Sequence, residues 1–134
     1  MWVALQSNNL DSLLEKAKEH EKKYEWLQAT EEYKEAVDLV LNEKDFTKVA
    51  NLQEKIGFCF YRASLQAQSN AEFRKILKKS IIAYEKESKL LKAVETEESQ
   101  VNRIHADALT CYVKSWYETD PKAIKTLLDE WWTL

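Results

Sequence analysis

Apolar residues recur every three or four positions along most of the chain, a pattern typical of α-helices that bury one face. The pattern is clearest in the second such segment, which carries Leu27, Ala29, Tyr33, Ala36, Val37, Val40 and Leu41. The same criterion places six helices, at about 10–24, 27–41, 46–67, 69–94, 99–116 and 121–134. The pattern therefore predicts an all-α fold with six helices.

Helix start signals support several of these boundaries. Ser69-Asn70-Ala71-Glu72 has the form of a capping box, in which the serine oxygen accepts from a free backbone amide and Glu72 reaches back to the amide of Ser69. Asp120 before Pro121 predicts the start of the sixth helix. Asn8, Asn9 and Asp11 are candidate caps for the first helix. The apolar opening segment, with Trp2, Val3 and Leu5, is expected to fold back over the first hairpin.

Composition narrows the class of protein. Tight β-hairpins and glycine-rich phosphate loops need glycine or proline, and the chain has only one of each in 134 residues. A 45% apolar fraction fits a single domain over residues 1–134, either on its own or as a fragment of a longer protein. A net charge of −3 with both signs interspersed argues against nucleic-acid binding. Without a long apolar run or a signal peptide, we expect no membrane insertion and a cytoplasmic location.

A spaced triplet recurs late in three apolar stripes. Its instances are Ala29-x3-Tyr33-x2-Ala36, Ser80-x3-Tyr84-x2-Glu87 and Ala123-x3-Leu127-x2-Glu130. Recurrence of this kind is typical of stacked helical hairpins. The sequence therefore predicts a right-handed stack of about three antiparallel hairpins, at about 10–41, 46–94 and 99–134.

The hairpins resemble tetratricopeptide repeats. Ile56-Gly57-x2-Phe60 is similar to the L-G-x2-Y part of that motif, in which glycine lets paired helices approach closely. The interval from Gly57 to Ser80 is about three helical turns longer than the interval between the same two motif positions in a usual repeat. Elongated hairpins of this kind look like those of the soluble NSF attachment protein branch of the superfamily. Residues 10–67 could also imitate a microtubule-interacting and trafficking domain. The tetratricopeptide resemblance implies a scaffold that presents a groove to a peptide or helix of another protein, with no reaction.

No residue pattern indicates catalysis, a cofactor or a metal site. His105 and Cys111 are six positions apart, which places them about 120° apart around a helix, too far for a thiol and its base. The Glu-x-x-His motif of metal-binding bundles is missing, since Ala17 and Asn102 precede His20 and His105 by three positions. We therefore predict a non-enzymatic protein.

Two features are candidates for partner binding. The fourth helix carries a basic stripe on one side, made of Lys75, Lys79, Lys86 and Lys89. Near the chain end, Trp131 and Trp132 lie about 100° apart around the helix, so one packing face cannot easily bury both. The alternatives are a simply solvated lysine face and tryptophans that both pack against the fifth helix.

The sequence favours a non-catalytic scaffold that binds a peptide or helix of a partner protein. One alternative is a structural, self-associating domain, with a homodimer as its simplest form. A weaker alternative is a small-ligand-binding bundle with a pocket lined by Phe58, Tyr61, Tyr84 and Tyr112.

Overall fold

The computed structural model describes residues 2–94 and 96–133, with side chains from residue 9 onward. These residues form helices and short connections and include no β-strand. The six helices are α1 (Trp2–Lys22), α2 (Trp26–Leu41), α3 (Phe46–Ser64), α4 (Asn70–Lys92), α5 (Glu97–Tyr117) and α6 (Pro121–Thr133). The predicted all-α class and the number of helices are confirmed.

Two predicted boundaries are wrong. Helix α1 starts at Trp2 rather than near Leu10, so the candidate caps at Asn8, Asn9 and Asp11 lie inside a helix and the opening segment does not fold back. The segment contains no glycine or proline to stop the helix from extending. The side chains of Trp2, Val3 and Leu5 lie outside the described residues. Helix α3 ends at Ser64 rather than Ala67 because residues 65–67 each donate to the carbonyl three positions earlier, which tightens the last turn.

The predicted start of α4 is correct, but its capping box is incomplete. The Ser69 hydroxyl accepts from the backbone amide of Glu72 at 3.1 Å. The Glu72 carboxylate instead accepts from the amide of Gln68 at 3.0 Å, one residue before the expected donor. The reciprocal box is found at α5, where Thr96 and Ser99 each accept from the other's backbone amide. A side-chain cap therefore accepts from a free backbone amide at each of these two helix starts.

The helices form a linear succession. Each helix packs chiefly against its neighbours in sequence, an arrangement consistent with stacked antiparallel hairpins. One core cluster draws on α1 to α4 around Tyr33 and Phe60, and a second joins α4 to α5 through Leu77, Tyr84 and Val113. Helix α6 buries no residue among those described. The core is therefore concentrated in the first four helices and thins toward α6.

Helices α3 and α4 approach each other closely at Gly57. A Cβ placed on Gly57 would stand 2.9 Å from Cε1 of Tyr84, and the Ser80 hydroxyl donates to the Gly57 carbonyl at 2.7 Å. The close approach expected at Gly57 is present, and it fixes the α3–α4 pair. The repeat positions in the first two hairpins are buried: Ala29, Tyr33, Ala36, Gly57, Phe60, Ser80 and Tyr84. Those of the third, Ala123 and Leu127, are only half-buried.

A basic groove between α2 and α4 as the candidate functional site

A large concave surface of the described chain lies between α2 and α4, and we call it the main groove. Both helices pack against α3. The groove has a volume of about 820 Å³. Its lining comes from α2 (Lys34, Val37, Asp38, Leu41), α3 (Phe46, Val49, Gln53, Ile56, Phe60) and α4 (Lys79, Ile82, Ala83, Lys86, Lys89, Leu90, Ala93). The three helices thus supply one continuous surface.

The walls of the main groove carry large apolar side chains that face solvent. Leu41, Phe46 and Ile82 are each a little over 40% exposed, although the neighbouring Val49 and Ile56 are buried. Single exposed apolar residues are common, but a contiguous set around a concavity is typical of a binding surface. The groove therefore has the shape and polarity to receive apolar side chains of a ligand.

Positive charge dominates the rim of the main groove. Lys34, Lys79, Lys86 and Lys89 contribute to the lining, whereas Asp38 is its single acidic residue. The ammonium groups of Lys34 and Lys79 lie 5.1 Å and 5.7 Å from the centre of the Phe60 ring, a cation–π distance for both. These contacts hold two lysines over the buried ring at the groove.

The rim lysines are largely free of neighbouring carboxylates. Lys34 lies 3.8 Å from the exposed carboxylate of Glu31 on its own helix. Among the described residues, none of the other three has a carboxylate oxygen within 4 Å. Their charge is therefore available to an acidic ligand.

Three of the four stripe lysines predicted from the sequence lie at the main groove. They are Lys79, Lys86 and Lys89, whereas Lys75 is exposed outside the lining. Sequence reasoning missed Lys34, Leu41 and Phe46. No local signal links these residues to the lysines of α4, because they are distant from those lysines in the sequence and meet them only in the folded chain.

A second groove lies between α4 and α6 and differs in charge. Its volume is about 650 Å³. It contains two lysines and two glutamates, and Lys114 lies 3.5 Å from the Glu85 carboxylate. Ile82 lines both grooves. Since the charges of the second groove balance, it offers no electrostatic preference for a ligand.

The two C-terminal tryptophans have different surroundings. The Trp131 ring lies 5.8 Å from the Tyr112 ring and remains 38% exposed. Trp132 is 82% exposed. The expectation that at least one tryptophan faces outward is met, and neither lines the main groove.

The residues considered from the sequence for catalysis or a ligand pocket lie outside the linings of both grooves. Burial and the nearby Glu130 carboxylate raise the pKa of the Cys111 thiol, the opposite of what a nucleophile needs. The four aromatic residues proposed as a pocket, Phe58, Tyr61, Tyr84 and Tyr112, line neither groove.

The described residues were also searched for metal sites and membrane spans. Over residues 2–94 and 96–133, no three His, Cys, Asp or Glu side chains come together as a metal site would require. In the same ranges, no helix combines the length and the apolar character that crossing a bilayer requires.

Comparison with known proteins found no relative of this chain. No family model matches the chain, and neither a curated protein nor a solved structure matches it. The resemblance to tetratricopeptide repeats and to the soluble NSF attachment protein branch therefore stays a prediction, and the functional argument depends on the groove itself.

Proposed function

We propose that this domain is a non-catalytic interaction module that binds a segment of a partner protein in the main groove. The observation that carries the proposal is the combination of exposed apolar walls with four lysines and one aspartate at a single concavity. Helix-in-groove recognition uses this combination of apolar contact and charged flanks. The proposed setting is the cytoplasm.

The lining specifies the chemistry of the partner segment. Apolar side chains of the partner would contact Leu41, Phe46 and Ile82, and its carboxylates would face the lysines of α4. Lys79 and Lys89 are ten residues apart, or about 15 Å along the helix. That distance matches about three turns of a partner helix. The best fit is an amphipathic helix of at least three turns with acidic flanks.

Two synthetic peptides test this proposal. Both are 18-residue amphipathic helices with the same leucine face, and one has glutamate flanks and the other lysine flanks. We expect the glutamate peptide to bind at least tenfold more tightly in fluorescence anisotropy, and to weaken as salt rises. Equal affinities would contradict the charge argument, and no binding of either peptide would overturn the proposed function.

Charge reversal within α4 locates the binding site. The double variant Lys86→Glu, Lys89→Glu should bind the glutamate peptide at least tenfold more weakly, because two attractive contacts become repulsive. Lys75→Glu is the control, since it reverses one charge on the same helix outside the groove, and its effect should stay below twofold. Equal loss in both proteins would show that net charge, and not the groove, attracts the peptide.

A further inference from the structure

Exposed apolar side chains cluster along α6 and the adjoining C-terminal end of α5. The cluster, which we call the α6 face, consists of Trp116, Leu128, Trp131 and Trp132, which are 53%, 39%, 38% and 82% exposed. Three ring contacts connect it: Tyr112 lies 6.2 Å from Trp116 and 5.8 Å from Trp131, and Trp131 lies 6.1 Å from Trp132. The aromatic surface is thus contiguous.

The apolar surface continues beyond the end of α6 along α5. Only residues 118–120 connect α5 to α6, so the contact between Cys111 and Glu130, well inside both helices, requires the two helices to run antiparallel. Helix α6 has 13 residues and α5 has 21, so about 12 Å of α5 extends past α6. This extension carries Val101 and Ile104, which are 66% and 41% exposed. Val101 and Tyr112 are eleven positions apart, or about 20° around α5, so a protein partner that covers the α6 face can extend along the same side of α5 to Val101.

The charged residues of α6 are in the order that its helix dipole disfavours. Lys122 and Lys125 lie in the N-terminal half, and Asp129 and Glu130 lie in the C-terminal half. The dipole favours the reverse order by about 0.3–1 kcal/mol per charge. Helices α4 and α5 do follow the favoured order, with acidic residues in the first turn and basic residues in the last.

An antiparallel second copy of α6 would compensate for this charge order. In such a pair, Lys122 and Lys125 of each helix approach the acidic half of the other. Asp129 is the acidic partner, because the Glu130 carboxylate is turned toward Cys111 on α5. The same sequence is therefore complementary to itself only when the two helices are antiparallel, which is the geometry of a two-fold interface.

We propose that the α6 face is the interface of a two-fold homodimer in which the α6 helices of two copies pack antiparallel. A tryptophan buries ~150–250 Å² when fully covered, so the exposed parts of this strip supply on the order of 500 Å² per partner. Stable interfaces bury about 800 Å² per partner. Because interfaces smaller than this are typical of transient complexes, we expect reversible association with a dissociation constant in the micromolar range. The inference is independent of the main groove, which α6 does not line.

Sedimentation equilibrium from 5 to 500 µM tests the dimer. The wild-type chain should show a concentration-dependent mass between one and two copies, and Trp132→Ala should weaken association at least tenfold. Because Trp132 is 82% exposed, its truncation leaves the fold of each copy intact, which circular dichroism checks. Leu65→Ala is the control, since Leu65 is 53% exposed outside the α6 face, and it should leave association unchanged.

A charge swap tests the antiparallel geometry. Lys125→Glu and Asp129→Lys should each weaken the dimer at least fivefold, and the double variant should restore it to within twofold of wild type. A wild-type chain that stays monomeric at 500 µM overturns the proposal. So does a dimer that tolerates Trp132→Ala or that the double variant fails to restore.

Discussion

Glu87 is a buried glutamate whose ionisation opposes folding. It lies on α4 at 2% exposure, and its Oε1 atom has no hydrogen-bond partner among the described residues. Burial is the main reason that its pKa is raised from 4.5 to about 8, and the carboxylates of Glu54 on α3 and Asp107 on α5 raise it further. At neutral pH the folded protein therefore keeps a proton on Glu87 that the unfolded chain has released.

This difference in proton binding makes stability depend on pH. The folded state is favoured while Glu87 is protonated in both states, below about pH 4.5. This contribution to the free energy of unfolding declines as pH rises and is lost above about pH 8, where the folded protein must also ionise Glu87. The slope approaches 1.4 kcal/mol per pH unit within that window. Glu87→Gln has nearly the same shape but no proton to lose. We expect the variant to match wild type at pH 5 and to be about 2–4 kcal/mol more stable at pH 8.

Urea unfolding followed by circular dichroism at 222 nm measures this prediction at pH 5, 6, 7 and 8. The quantity of interest is the difference in unfolding free energy between the variant and wild type, because pH effects from groups that do not interact with Glu87 cancel in it. Glu35→Gln is the control, since it makes the same change on the exposed side of α2. A difference that stays constant from pH 5 to 8 would refute the argument, because it would mean that Glu87 ionises equally well in both states.

Two further predictions concern the α3 helix. Gly57→Ala should destabilise the protein by about 1–2 kcal/mol in urea unfolding, because overpacking against the Tyr84 ring outweighs the gain in helix propensity. An increase in stability of about 1 kcal/mol would refute the close contact. Burial and the Glu21 carboxylate raise the pKa of the Cys59 thiol. Peptide mass spectrometry after iodoacetamide treatment at pH 8 should therefore show modification of half-buried Cys111 before Cys59, and similar rates would contradict the buried position of Cys59.

The repeat pattern shows both the value and the limit of sequence reasoning. The triplets place Ala36 and Glu87 at equivalent positions, and the structure buries both. Alanine fits such a position without cost, whereas a glutamate there is set between two other carboxylates. The sequence marks the position of Glu87, but its burial depends on α3 and α5, which come from other parts of the chain.

The sequence by itself determined the all-α class, the number of helices and most of their boundaries. These features depend on interactions within a few residues: the apolar period, the caps at Ser69 and Thr96, and the scarcity of glycine and proline. Even locally, a non-glycine residue at positive φ such as Tyr24, at 60°, carries no sequence signal that marks the turn.

Only the tertiary structure decided which surfaces are paired and which stay open. It places Lys34 of α2 and Lys79 of α4 over the same Phe60 ring, although the two lysines are 45 positions apart. It also leaves α6 without a buried residue. Such outcomes follow from how whole helices pack, because burial and groove shape depend on side chains that are distant in sequence and meet only in the folded chain.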